Sequence, residues 1–144
     1  MYTSLFKKVA LVFSVSISAI MLVACATAPI KSSEALLRER VDGLMQAKIN
    51  NNWAGVYEYY TPDFKEENSK DQFVRMNRQM HFKNYTIQSI EMDPSGKAAT
   101  VIVRYDFRVL GSLFHKNDTQ KWVRDGGQWY QEPKISDVKS LFRS

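Results

Sequence analysis

Cys25 is the only cysteine of the chain, so its thiol is the only thiol available for covalent modification. It follows a short basic segment with Lys7 and Lys8, and then an uncharged run over residues 9–24. A basic segment, an apolar segment and small residues before a cut are the parts of a secretory signal peptide. The uncharged run is shorter than the roughly 20 residues that a membrane-spanning helix needs. We therefore expect residues 1–24 to be removed.

The segment Leu22-Val23-Ala24-Cys25 resembles the lipobox of bacterial lipoproteins. The resemblance implies that Cys25 becomes the first residue of the mature protein, carries diacylglycerol through a thioether and attaches the protein to a membrane. Lipidation would also cap a thiol that has no second cysteine to pair with. The alternatives are an uncleaved N-terminal anchor, or an ordinary signal peptide that is cut near residues 26–28.

Ala26 follows the lipobox cysteine, and this residue bears on the location of the protein. In enterobacteria-like lipoproteins an aspartate at this place favours the inner membrane, so the resemblance implies the outer membrane, facing the periplasm. In a bacterium with one membrane, the same signal implies the outer face of the cytoplasmic membrane.

The mature chain has the size of one domain and a mild positive charge. Without residues 1–24 its net charge is about +3, and its basic residues are scattered. We therefore expect a solvated basic surface and no nucleic-acid partner. Residues 25–33 are small and polar, which predicts a lipidated tether. The folded domain is expected over 34–133, followed by a C-terminal tail over 134–144 whose apolar spacing fits a short helix.

Helical spacing of apolar residues predicts three helices in the first half of the domain. They are expected over about 34–50, over 53–60, and from a cap at Ser69 onward. The segment Thr61-Pro62-Asp63 is expected to end the second helix as a turn.

Strand patterns fill the second half of the domain. Strands are expected over 85–92, 99–109, 119–124 and 129–131, with an interruption at Gly111-Ser112. The alternation over 99–109 predicts Val103 and Phe107 on the face toward the helices, and Arg104 and Arg108 on the opposite face. The expected sheet is an antiparallel meander.

Three helices before a curved antiparallel sheet give an α+β order that resembles the NTF2-like (cystatin-like, SnoaL-like) fold. The segments 53–64 and 121–130 resemble the second-helix region and the last hairpin of that superfamily, and the likeness extends over residues 34–133. The resemblance implies a cone in which helices and sheet enclose an apolar pocket. The expected lining residues are Tyr57, Tyr60, Phe73, Met76, Val103, Tyr105 and Phe107.

Isomerase-like members of the superfamily need an acidic base beside a phenolic donor. Tyr57, Asp63 and Tyr105 supply these residue types, but Asp63 is expected in a turn. Asp106 is expected on the strand face opposite Tyr105. We therefore expect no carboxylate in the pocket and assign no catalytic residue.

The two histidines form no recognisable motif. His81 is expected to end a helix and His115 to lie near a strand connection, so neither is expected to act in catalysis as the pocket histidines of dehydratase-like members do. Metal sites need several converging ligands, and we expect no metal or cofactor. The outer face of the sheet is expected to carry mixed charge from the residues Arg104, Asp106, Arg108, Lys116, Asp118 and Lys121.

Two functions remain open on this basis. The favoured one is a non-enzymatic, membrane-anchored envelope lipoprotein whose domain binds a partner protein or an apolar small molecule. The competitor is an isomerase or dehydratase-like enzyme. A deep pocket with a buried carboxylate near a tyrosine would favour the enzyme, whereas an aromatic-filled cone would favour binding.

Overall fold

The computed structural model of the chain describes residues 31–134. The expected signal peptide, Cys25, most of the tether and the C-terminal tail from residue 135 lie outside the described residues. Four helices precede four strands: α1 Ser33–Ile49, α2 Trp53–Tyr57, α3 Pro62–Glu67, α4 Lys70–Asn77, β1 His81–Met92, β2 Ala98–Val109, β3 Ser112–Asp125 and β4 Gln128–Glu132. The strands form one antiparallel sheet in the order β1-β2-β3-β4. The predicted α+β class is confirmed, but residues 31–134 contain four helices and not three. No helix in this part of the chain has the length and apolar character to cross a membrane.

The additional helix is α3, at the segment that we expected to be a turn. Thr61 is its N-cap, and the Thr61 hydroxyl accepts a hydrogen bond from the Phe64 N–H at 3.4 Å. Pro62 fits the first helical turn because no intrahelical bond needs its missing N–H there and its fixed φ is already helical. The same residues that indicated a stop therefore begin a new helix.

The strand β1 begins four residues earlier than expected, at His81. The prediction that His81 ends a helix is therefore wrong. Its Nδ1 lies 3.0 Å from Oδ1 of Asn51, in the connection between α1 and α2. The pairing of β1 with β2 continues down to His81 opposite Arg108.

The strand is interrupted at Gly111 as expected, but β3 begins at Ser112 and not at residue 119, so β2 and β3 form one long hairpin. The turn consists of Leu110 and Gly111, with φ values of 49° and 86°. Two positive φ angles are what a two-residue type I′ turn requires. The pairing begins immediately, with Val109 opposite Ser112.

The register of this hairpin decides which face the β3 side chains take. Val103 is opposite Asp118, and Tyr105 is opposite Lys116. Directly opposed residues of an antiparallel pair lie on the same face of the sheet. Lys116 and Asp118 therefore lie on the inner face, toward the helices, and the expectation that they belong to the outer face is wrong.

The core lies between the helices and this inner face. Val101 and Val103 are fully buried and Tyr105 is 7% exposed, while Arg104 and Arg108 are exposed, so the predicted alternation of β2 is confirmed. Phe107 is only half-buried, because it lies near the turn that closes the hairpin. The helices and later strands add the buried residues Leu37, Val41, Leu44, Met45, Val56, Phe64, Phe73, Trp122 and Trp129.

Candidate functional site

A cavity of about 240 Å³ lies between the helices and the inner face of the sheet. Its apolar wall is mostly aromatic and consists of Trp53, Tyr60, Phe64, Phe73, Met80, Phe82, Tyr105 and Phe107. Pockets for drug-sized ligands measure roughly 300–1,000 Å³, and a dry cavity of about 150 Å³ can hold benzene. The volume therefore suits a molecule of one or two rings, or a short acyl chain.

The aromatic rings of the wall pack against one another. Tyr60 and Phe64 have ring centroids 4.7 Å apart, and Phe82 and Tyr105 have centroids 4.9 Å apart. Phe107 continues this row at 5.8 Å from Tyr105 and stacks on Phe114 near the tip of the hairpin. Contacts of this kind hold rings in defined positions, so the wall is preformed for apolar contact.

The predicted lining residues take three kinds of position. Tyr60, Phe73, Tyr105 and Phe107 line the cavity, Tyr57 and Val103 lie in the core, and Met76 is 37% exposed on α4. The hydroxyl of Tyr57 donates to the carbonyl oxygens of Lys65 and Asn68, at 3.0 and 2.5 Å. The Tyr57 phenol therefore holds the connection between α3 and α4.

One end of the cavity is polar, and its centre is Asp118. This carboxylate is 7% exposed, accepts a hydrogen bond from Nε2 of Gln120 at 3.2 Å and forms an ion pair with Lys134. Lys48 from α1 is 6% exposed and places Nζ 5.3 Å from the ring centroid of Phe82. A buried carboxylate thus belongs to the cavity, which sequence reasoning missed when it assigned Asp118 to the outer face.

The ionisation of Asp118 reflects opposing effects. Burial favours the neutral acid, but the hydrogen bond from Lys134 and the charges of Lys48 and Lys134 outweigh it. The pKa of Asp118 is consequently below its usual value. A general base works best with a pKa near the operating pH. The lowered pKa makes Asp118 a fixed charge and a weak base.

Two buried polar atoms in the wall are unsatisfied. Among the described residues, Nε1 of Trp53 and Oε1 of Gln131 are buried without a hydrogen-bond partner. Buried polar atoms of native proteins are nearly always paired with protein, water or ligand. The residues Trp53 and Gln131 belong to the cavity wall, but these two polar atoms are themselves buried from solvent.

The other acidic and histidine candidates lie outside this cavity. Asp106 and His115 are neighbours on the outer face, with Oδ1 and Nδ1 2.5 Å apart. The hydrogen bond to His115 is the main cause that lowers the pKa of Asp106. Asp63, at the start of α3, lines a separate and wider depression of about 750 Å³ with Lys121 and Glu132. Across residues 31–134, no three His, Cys, Asp or Glu side chains come together as a metal site would require.

Comparisons with known proteins bear on the fold alone. No family model and no curated protein matches the chain. The fold is similar to the solution structure of a SEC-C motif containing protein from Rhodopseudomonas palustris, with 17% identity, a TM-score of 0.53 and coverage of 72% of this chain and 79% of that one. It is also similar to the crystal structure of a SEC-C motif containing protein from Psychrobacter arcticus, with 13% identity, a TM-score of 0.55 and coverage of 73% and 60%.

Proposed function

We propose that this chain is an envelope lipoprotein whose NTF2-like domain binds a small, largely apolar molecule in its cone. The single observation that carries the proposal is the cavity of about 240 Å³ with its aromatic wall. Largely apolar pockets with a few placed polar groups are the usual form of small-molecule sites. The four-stranded antiparallel sheet and the similarity in fold to both solved structures support the NTF2-like assignment.

Binding without catalysis is favoured by the state of the polar groups. Asp118 forms an ion pair with Lys134, and its lowered pKa opposes a role in proton abstraction. The hydroxyl of Tyr57 is engaged with two backbone carbonyls. Neither group is prepared for acid–base chemistry on a ligand.

An isomerase or dehydratase-like enzyme remains the second candidate, because a buried carboxylate and a tyrosine share one cavity. Asp118 and Tyr105 both line it, and they come from neighbouring strands. If the domain is an enzyme, Asp118→Asn abolishes turnover of a bound carbonyl compound while its affinity persists. Under the binding proposal, wild type and variant release the compound unchanged, as mass spectrometry of the mixture would show.

A protein partner at the envelope, also expected from the sequence, is supported by the hairpin between β2 and β3. Leu110 is 86% exposed, and Leu113 and Phe114 are 48% and 47% exposed. Leu113 and Phe114 take opposite faces of the hairpin, so the exposed apolar groups are concentrated at its tip, and such a concentration favours a contact surface. Crosslinking in native membranes from a residue at this tip tests for such a partner.

The ligand proposal is tested with phenylacetamide, a neutral molecule with one aromatic ring. The compound is titrated by calorimetry into full-length protein in lipid nanodiscs, which keep detergent molecules out of the cavity. Titration into empty nanodiscs is the reference. Wild type should bind, Phe107→Ala should bind more weakly because a wall ring is removed, and Leu113→Ala on the outer face should match wild type. The proposal is refuted if neither phenylacetamide nor its charged counterparts, phenylacetate and 2-phenylethylamine, bind to wild type.

The anchor is part of the same proposal and has its own test. Lipid on Cys25 would hold the domain at the outer membrane facing the periplasm, or at the outer face of the cytoplasmic membrane in a bacterium with one membrane. Cys25→Ser should leave an unprocessed precursor without labelled fatty acid, because the thioether site is lost. Normal maturation and labelling of this variant would contradict the lipobox assignment.

A further inference from the structure

Most of the charged residues that line the cavity are positive. Among the described residues that line it, Lys48, Lys116 and Lys134 are basic and Asp118 is acidic. The lysines come from α1, from β3 and from the segment after β4, so three parts of the fold bring positive charge to one place. The cavity therefore has a positive excess beside its aromatic wall.

Asp118 does not make the cavity negative, because basic groups already surround it. Lys134 forms an ion pair with its carboxylate, and the positive charge of Lys48 also acts on it. Lys116 lies two residues before Asp118 on the same inner face of β3 and is exposed. Its charge is available to a molecule that enters between the helices and the hairpin.

We propose that the cavity selects an anionic apolar molecule, an aryl or short acyl carboxylate, over its neutral isostere. This inference rests on the proposed ligand-binding function and specifies its ligand class. The aromatic wall takes the apolar body, and the lysines attract the carboxylate in surroundings where charge is screened less than in water.

An aromatic wall alone would predict the opposite preference, for a cationic ligand, because the faces of aromatic rings attract cations. In this cavity a lysine already takes that place, with Nζ of Lys48 5.3 Å from the centroid of Phe82. The ammonium group of a ligand would also meet the repulsion of the lysine excess. Charge therefore separates the two ligand classes.

Three probes with one ring and different charge test the inference: phenylacetate, phenylacetamide and 2-phenylethylamine. Calorimetry with the full-length protein in nanodiscs of neutral lipid gives their affinities. Phenylacetate should bind about tenfold more tightly than phenylacetamide, which corresponds to about 1.4 kcal/mol. The amine should bind most weakly, and the preference for the acid should shrink at high salt.

Variants on β3 locate the effect within the cavity. Lys116→Gln should reduce the ratio of acid to amide affinity about threefold, because one positive charge is lost near the ligand. Lys121→Gln removes the same charge from the outer face and is the matched control. Asp118→Asn should raise the ratio, because it removes the negative charge that competes with the ligand carboxylate. Lys116 is exposed, so its variant should fold even if the change at Asp118 disturbs the core.

The outcomes separate this inference from the function on which it rests. If acid and amide bind equally, or the amine binds best, the anion preference is refuted while ligand binding stands. An equal effect of Lys116→Gln and Lys121→Gln would also refute it, since a general charge effect would then explain the preference. If none of the probes binds, the proposed function and the inference both fail.

Discussion

Nδ1 of His115 and Oδ1 of Asp106 lie 2.5 Å apart across β2 and β3, on the face of the sheet that points away from the helices. An ionised carboxylate only accepts hydrogen bonds, so the imidazole Nδ1–H is the donor when Asp106 is charged. The two residues are nine positions apart in the chain, and the hairpin places them opposite each other. They lie outside the aromatic cavity, so their contact belongs to the outer sheet surface.

The His115 contact should set the pKa of Asp106. This hydrogen bond is the main cause that holds the pKa of Asp106 below its usual value. His115→Gln should raise that pKa toward the usual range, as measured by NMR titration of the carboxyl carbon. His81→Gln is the control, because His81 contacts Asn51 and lies on another strand. An unchanged pKa in His115→Gln would show that the contact does not act on the carboxylate.

The ion pair of Asp118 and Lys134 should make the stability of the fold depend on pH in the acidic range. Since the folded-state pKa of Asp118 is lowered, its stabilisation is complete above the unfolded value of about 3.9 and is lost as the pH falls through the folded value. Urea unfolding measures the free energy of unfolding at neutral and at acidic pH. The decrease in this free energy on acidification should be smaller in Asp118→Asn than in wild type. A loss of equal size in both proteins would contradict the assignment.

The same pair should show energetic coupling at neutral pH. A double-mutant cycle with Asp118→Asn and Lys134→Gln should give an interaction free energy of about 0.5–3 kcal/mol. The corresponding cycle with Lys121→Gln should give a value near zero, because Lys121 lies on the other face of β3. Additive effects of Asp118→Asn and Lys134→Gln would refute the coupling.

The two faces of β2 should differ in their contribution to stability. Replacing a fully buried phenylalanine with alanine lowers the free energy of unfolding by about 3–5 kcal/mol. Phe107→Ala should lower it by less, because Phe107 is half-buried. Arg108→Ala should change it by no more than about 0.5 kcal/mol. Chemical denaturation measures both, and equal unfolding midpoints would contradict the assignment of faces.

The N-cap of α3 should be energetically significant. Thr61→Ala removes the hydroxyl that accepts from the Phe64 N–H and should cost about 0.5–2 kcal/mol. Thr61→Ser keeps an oxygen at the same place and should recover most of that loss. If the serine variant is as unstable as the alanine variant, the methyl group and not the cap explains the effect.

The sequence by itself determined the features that depend on neighbouring residues. The alternation of β2 predicted that Val103 points inward and Arg104 outward, because successive side chains of a strand take opposite faces. Ser69 predicted the start of α4, because a serine hydroxyl can accept from the N–H groups of a first turn. Such signals act over a few residues. The segment at Thr61-Pro62 misled because its residues suit both a turn and a helix start.

Only the tertiary structure decided the composition of the cavity. Lys48, Asp118 and Lys134 are far apart in the chain, and no local pattern indicates that they meet. The inward position of Asp118 follows from the two-residue turn at Leu110 and Gly111, which fixes the register of β3 against β2. A shift of one residue would move every β3 side chain to the other face. The polar end of the cavity therefore depends on non-local strand pairing, which the sequence does not specify at any single position.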